Sequence, residues 1–373
     1  MGIYIHIPFC ISKCNYCDFL SFECTNTQEQ YVNALTNEIK AANIAATVDT
    51  VYIGGGTPTA LPTPLLCEII NEAKKFNLAD DAEITVEMNP CTNSYELLSA
   101  LKSQGVNRLS IGLQAWQDKL LKTLKRAHTV TDFTNTIQAA QAIGINNINI
   151  DLMFGLPTQT MEHWNESITQ VLALNPTHIS TYSLTPAENT PLWDDLETNR
   201  LNLPNEETDR AMYHRAIHQL TAAGYKHYEL SNFAIPTHES RHNIDCWTRK
   251  PYRGLGLGAH SFNGSARWNN TEKMKAYINT TDSPATIPPS IQENYQQLST
   301  QDAMAEFMFL GLRMTEGISP QNFQAQFGIP LIDVYGKKIE SLIQKNLLEY
   351  KFNNLALTTL GLDLANQVFE AFI

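Results

Sequence analysis

The sequence predicts an α/β protein: a parallel sheet of βα units through the first two thirds, then a small helical module. Three observations carry that expectation. Short β-type runs alternate with amphipathic helical stretches across short connections, the pattern of a parallel sheet with helical crossovers. Successive strands end in Gly55, Glu87, Gln114 and Asp151, and parallel α/β folds bind ligands beyond the carboxyl ends of their strands. After Asn205 the alternation stops, and later helical runs lead to two short β-type runs joined at Asn353-Asn354.

Tyr4–Ile7 reads as the first strand, rich in aromatic and β-branched residues. Glu29–Ala46 carries helical spacing, and Thr50–Ile53 is a second strand running into Gly54-Gly55-Gly56. Leu65–Phe76 is helical and Glu83–Glu87 extended; Arg108–Leu113, Asn147–Met153 and His178–Ser183 continue the strands, with helices up to Ala142 and over Met161–Leu174. Six strands by residue 184 suffice for a partial barrel or an open doubly wound sheet. Beyond them come a helix over Glu206–Ala223, an extended run over Lys226–Leu230 and a His-, Trp- and Gly-rich segment from Arg241 to Trp268. Residues 284–290, rich in Pro, read as a linker. The final stretch reads as a winged-helix-like module. The division expected is therefore 1–205, 206–285 and 286–373.

Composition narrows the functional classes. The chain has 373 residues, 43% of them hydrophobic, and a formal net charge of −12. Residues 293–373 carry five basic against nine acidic side chains, so neither the chain nor its terminal module has the basic footprint of a nucleic-acid binder. The N-terminal residues lack a signal-peptide pattern and no apolar run approaches a membrane span. The expectation is a cytoplasmic protein.

Seven cysteines are present, three of them crowded at Cys10, Cys14 and Cys17. In a cytosolic chain such crowding points to metal or redox chemistry rather than disulfides. Three thiolates from one loop can hold a cubane iron–sulfur cluster and leave one iron free. They also suit zinc, with His6 or Cys24 as a fourth ligand. Cys24, Cys67 and Cys91 are otherwise expected to pack as small hydrophobes.

The Cys-x3-Cys-x2-Cys spacing resembles the radical S-adenosylmethionine (SAM) superfamily, as does Gly54-Gly55-Gly56-Thr57-Pro58 after the second strand. Tyr4 to Cys10, Cys14 to Phe19, Leu109 to Gln114 and Asp151 to Pro157 are similar to one subgroup. It contains oxygen-independent coproporphyrinogen dehydrogenases and HemW-type heme chaperones. The resemblance implies a partial (β/α)6 barrel in which Cys10, Cys14 and Cys17 hold a [4Fe-4S] cluster. It also implies that Tyr4, Gly55, Gly56, Thr57, Glu87, Gln114, Arg126 and Asp151 surround SAM, with Tyr16 near the adenine. Carboxylates can pair with the SAM amine and ribose hydroxyls, and an arginine with its carboxylate.

Within the subgroup two functions compete. The dehydrogenases use the cluster to cleave SAM and decarboxylate porphyrinogen propionates. The chaperones bind heme and pass it to acceptor hemoproteins, including membrane-bound respiratory components. The dehydrogenase motif has a fourth cysteine two positions after the third, where this chain has Phe19, and a longer N-terminal extension. The chaperones carry a His-Asn-x-x-Tyr-Trp heme motif; here it reads His242-Asn243-Ile244-Asp245-Cys246-Trp247. The resemblance therefore favours a heme chaperone, with coproporphyrinogen dehydrogenase as the alternative, His242 as first candidate heme ligand and Cys246 as second. It also allows a homodimer. The glycine segment from Tyr252 to Ser261 is not a dinucleotide fingerprint, because its third Gly follows the second too closely; close backbone packing is expected there.

Overall fold

The six strands expected before residue 184 all form and all run parallel. The computed structural model describes residues 1–23, 26–281 and 291–373. Strand β1 (Gly2–Ile7) runs into a loop pinned by the two-residue strands β2 (Phe9–Cys10) and β3 (Phe22–Glu23). Helix–strand units come next: α1 (Gln28–Ala41) with β4 (Val48–Gly55), α2 (Thr63–Ala73) with β5 (Leu78–Met88), and α3 (Tyr95–Ser103) with β6 (Arg108–Gln114). Two helices, α4 (Asp118–Thr123) and α5 (Val130–Ile143), precede β7 (Ile148–Phe154); α6 (Met161–Ala173) precedes β8 (His178–Ser183). Helix α3 was not expected. Local chemistry fixes the helix ends: a Thr129–Asp132 capping box opens α5, and Gly144, at φ 87°, closes it.

Strand alternation sorts the two faces of the sheet. In β6, Leu109, Ile111 and Leu113 join the helix-side core, while Arg108, Ser110, Gly112 and Gln114 line a central cavity. In β7, Ile148, Ile150 and Leu152 do the first, and Asn149, Asp151 and Met153 the second. Both faces of these strands are buried, yet only one is apolar.

The middle of the chain extends the sheet at both edges. It comprises α7 (Pro191–Glu197), α8 (Glu206–Ala222), β9 (Lys226–Glu229), β10 (Asn232–Ala234), α9 (Arg241–Trp247), β11 (Tyr252–Leu255), β12 (His260–Phe262), β13 (Ala266–Asn270), α10 (Met274–Thr281) and β14 (Gln292–Gln297). The order is β14-β13-β12-β11-β1-β4-β5-β6-β7-β8-β10-β9. β11 joins β1 in parallel, and β10, β9 and β12–β14 pair antiparallel. The two end strands do not pair with each other, so the partial barrel expected is the architecture found. The glycine segment packs as anticipated: a Cβ on Gly256, at φ 99°, would sit 2.7 Å from the His6 carbonyl oxygen and the Tyr31 hydroxyl.

The linker expected at 284–290 lies outside the described residues. Residues 292–297 belong to the large sheet as β14, whereas the boundary drawn at 286 had placed them in the terminal module. A separate apolar core, including Met308, Phe323, Ile339 and Val368, starts with α11 (Thr300–Gly311). It continues through α12 (Pro320–Phe327), α13 (Leu331–Gln344), the hairpin β15 (Leu348–Lys351)–β16 (Asn354–Leu357), α14 (Thr359–Asp363) and α15 (Ala365–Glu370). Helices leading into a hairpin match the winged-helix-like expectation. Among the described residues no helix is long and apolar enough to cross a membrane.

Candidate functional site

A cavity of about 810 Å³ occupies the barrel, lined at its mouth by the loop after β1 and by the carboxyl ends of β4 to β8. Cys10, Cys14 and Cys17 all line it, and so do Tyr16, Gly55, Gly56, Thr57, Glu87, Gln114, Arg126 and Asp151. Thr57 Oγ1 donates to Cys10 Sγ at 3.7 Å and Arg126 Nη1 to Cys14 Sγ at 3.5 Å. Burial pushes the Cys10 thiol up, and the Thr57 hydrogen bond works against that rise. The glycines sit where side chains cannot: a Cβ on Gly56 would lie 2.7 Å from the Phe9 carbonyl oxygen and 3.1 Å from Cys10 Sγ.

The charged groups of the cavity are buried and perturbed. Glu87 accepts hydrogen bonds from the Tyr52 hydroxyl at 2.7 Å and the Gly55 N–H at 3.1 Å. Burial pushes its carboxyl up to about 7, and the nearby Asp151 adds to the rise. Asp151 is raised by burial too, against the hydrogen bond that Asn149 Nδ2 donates at 2.7 Å. Gln114 is held at φ 67°, an uncommon conformation for a residue with a side chain, and its Oε1 is buried without a partner. Arg126 Nε is likewise unpartnered.

Three expected site residues lie outside the cavity lining. Tyr4 stands behind it, bonded through its hydroxyl to His6 Nδ1 at 3.0 Å and stacked on Tyr52. His242, 7% exposed, plugs the opposite end of the barrel: Nδ1 meets Thr50 Oγ1 at 2.9 Å and the ring stacks 5.1 Å from Tyr52. Burial lowers its imidazole to about 4. Cys246 does not line the cavity either, and burial pushes its thiol up to about 11. Use of His242 as an axial ligand therefore requires α9 to leave the barrel floor. Its helix does reach the cavity, through Asn243 and Trp247. Arg108, Tyr52 and Tyr182 also line it and were not singled out from the sequence. Their period-2 placement on β6, β4 and β8 was the available signal; an arginine opening a buried strand was the strongest.

The residues present fit a cluster and SAM. His6 is no free zinc ligand, since Nε2 meets the Leu20 carbonyl at 2.9 Å while Nδ1 meets Tyr4; Cys24 lies outside the described residues. Among the described residues no three His, Cys, Asp or Glu side chains are grouped about one metal position. The thiols instead flank a common mouth. A cubane takes thiolates on separate irons, whereas a single zinc gathers four donors at one centre. Unpartnered Gln114 Oε1 and Arg126 Nε beside that mouth suit a polar ligand.

A partial parallel barrel with three cysteines after its first strand and a glycine cradle after its second defines a radical-SAM protein. Residues 4–171 match the Radical SAM superfamily model, which implies a [4Fe-4S] cluster and SAM, and residues 298–364 match the HemN C-terminal domain. The chain is 38% identical to the heme chaperone HemW of Bacillus subtilis, covering 99% of this chain and 98% of the relative. It is 34% identical to that of Lactococcus lactis, covering 99% and 96%. The solved structure of Escherichia coli coproporphyrinogen III oxidase (HemN), a radical SAM enzyme, superposes with a TM-score of 0.86 at 22% identity, covering 100% of this chain and 89% of that one. The chain belongs to the HemW heme chaperone family of radical-SAM proteins.

Proposed function

We propose that this protein binds heme and delivers it to acceptor apo-hemoproteins, among them membrane-bound respiratory components, from the cytoplasm and as a monomer or homodimer. The observation that carries the reading is similarity along the whole chain to proteins named heme chaperone. Phe19, 66% exposed on the cavity wall, supports it: the fourth cysteine of the dehydrogenase motif is replaced by a side chain that ligates nothing. The division into a barrel, a barrel-completing segment and a terminal module belongs to the same reading.

Cys10, Cys14 and Cys17 would hold the cluster, leaving one iron for SAM. Thr57 and Arg126 donate hydrogen bonds to the Cys10 and Cys14 sulfurs. Glu87 presents a carboxylate to an amine, Asp151 to hydroxyls, and Gly55 and Gly56 allow close approach. Anaerobically reconstituted protein is to be incubated with coproporphyrinogen III, SAM and reductant, and separately titrated with hemin. Hemin uptake without decarboxylation is expected. Robust decarboxylation would overturn the chaperone reading in favour of the dehydrogenase.

A further inference from the structure

Arg108 opens β6 and is 2% exposed, yet its side chain lines the cavity. Among the described residues its guanidinium forms no ion pair, and Nε has no hydrogen-bond partner. Glu87 and Asp151 are near enough to feel its charge but neither comes within ion-pair distance. A cation removed from water without a partner is costly, and such a group facing open space is a site awaiting an anion. Two more polar atoms on the same cavity lack partners: Trp247 Nε1, from the floor helix α9, and Asn232 Oδ1. Trp247 is held in place from behind by Arg313, 4.3 Å over its ring.

The position decides which anion. Gln114, at the far end of β6, lies beside Arg126, which reaches Cys14. Six residues of strand separate it from Arg108, about 20 Å. A SAM held by the cluster proposed above would set its carboxylate beside Arg126 at the cysteine mouth, which leaves the deep cation for another molecule. A guanidinium is the planar fork that suits a carboxylate. We propose that Arg108, with Trp247 Nε1 as a second donor, forms a deep subsite that receives a propionate carboxylate of the tetrapyrrole cargo. The inference rests on the heme reading above, and adds where the cargo's charged edge is held.

The test uses full-length, anaerobically reconstituted protein with SAM present. Hemin and hemin dimethyl ester, which lacks both carboxylates, are titrated into wild type, Arg108→Met and Arg108→Lys. Wild type should prefer hemin over the ester by roughly tenfold to a hundredfold, the effect of one hydrogen bond to a charged group. Arg108→Met should lose that preference, and Arg108→Lys, which keeps the positive charge facing Glu87 and Asp151, should keep part of it with SAM affinity unchanged. Equal wild-type affinity for the two hemins overturns the subsite while leaving heme binding intact, and this comparison stands even if Arg108→Met does not fold. Weakened SAM binding with unchanged hemin binding also overturns it, assigning Arg108 to SAM. No hemin binding at all removes the heme reading and the subsite together.

Discussion

Glu87 makes SAM binding depend on pH, in a direction that its surroundings dictate. Tyr4 and Tyr52 face it from β1 and β4, Arg108 from β6 and Asp151 from β7. Raising the carboxyl from 4.5 to about 7 is worth roughly 3 kcal/mol. The folded chain holds the proton more tightly than the unfolded one. The stability Glu87 contributes is therefore fully present below pH 4.5 and is lost as pH rises through 7. A ligand ammonium reverses the preference, because it needs the carboxylate. SAM binding below pH 7 must then expel a proton, and affinity should rise roughly tenfold to thirtyfold from pH 5.5 to 7.5. Isothermal titration of reconstituted protein across that range measures it, and Glu87→Gln should bind SAM more weakly at pH 7.5 with a flatter profile. Asp151 is shifted in the same direction, so the difference between wild type and variant isolates Glu87. Parallel profiles for the two proteins would refute the argument.

Three further outcomes rest on contacts within the fold. Gly56→Ala places a Cβ against the Phe9 carbonyl and Cys10 Sγ; it should cost roughly 1–3 kcal/mol by overpacking and lower the iron retained after reconstitution, read by iron analysis and thermal melting. Wild type should take up about four irons per chain, and Cys14→Ser should lose most of them, whereas uptake of a single zinc by wild type under those conditions would contradict the cluster. Glu306 on α11 receives Arg249 at 2.9 Å and Arg267 at 2.6 Å; Glu306→Ala strands both guanidinium groups and should destabilise the junction between sheet and terminal module by roughly 3 kcal/mol, seen as a lowered unfolding midpoint.

The barrel was legible because parallel strands and their helices leave strong periodic traces: His178–Ser183 is extended over the range read from sequence, and α6 differs by one residue. The chain beyond Asn205 was less legible. β10 and β12 are three residues each, too short for any period to show, and β14 is a polar edge strand defined by pairing with β13 rather than by its own composition. The site was legible where chemistry is local, as in the cysteine loop and the glycine cradle. It was illegible where depth decides. His242 carries the marks of function in sequence and Arg108 reads only as the start of a strand, but tertiary packing places the first in the barrel floor against Thr50 and the second on the cavity wall.

Burial alone does not separate a ligand site from a structural one in this fold, and Glu38 shows why. Its carboxyl is buried and raised like that of Glu87. It nevertheless takes hydrogen bonds from the Tyr277 hydroxyl at 2.6 Å, Asn270 Nδ2 at 2.7 Å and the Gly256 N–H at 2.8 Å, and it does not line the central cavity. Those donors come from α10, β13 and the turn after β11, so Glu38 ties the late strands to α1 and has little left to offer a ligand. The barrel interior is the reverse: two raised carboxyls and an unpaired guanidinium face open space, with Gln114, Arg126 and Trp247 each keeping an unpartnered atom on the same wall. A core selected only for stability would match these groups or replace them with apolar ones. Their retention, unmatched, on the polar face of otherwise regular strands is the physical signature of a chamber whose electrostatics are completed by what it binds.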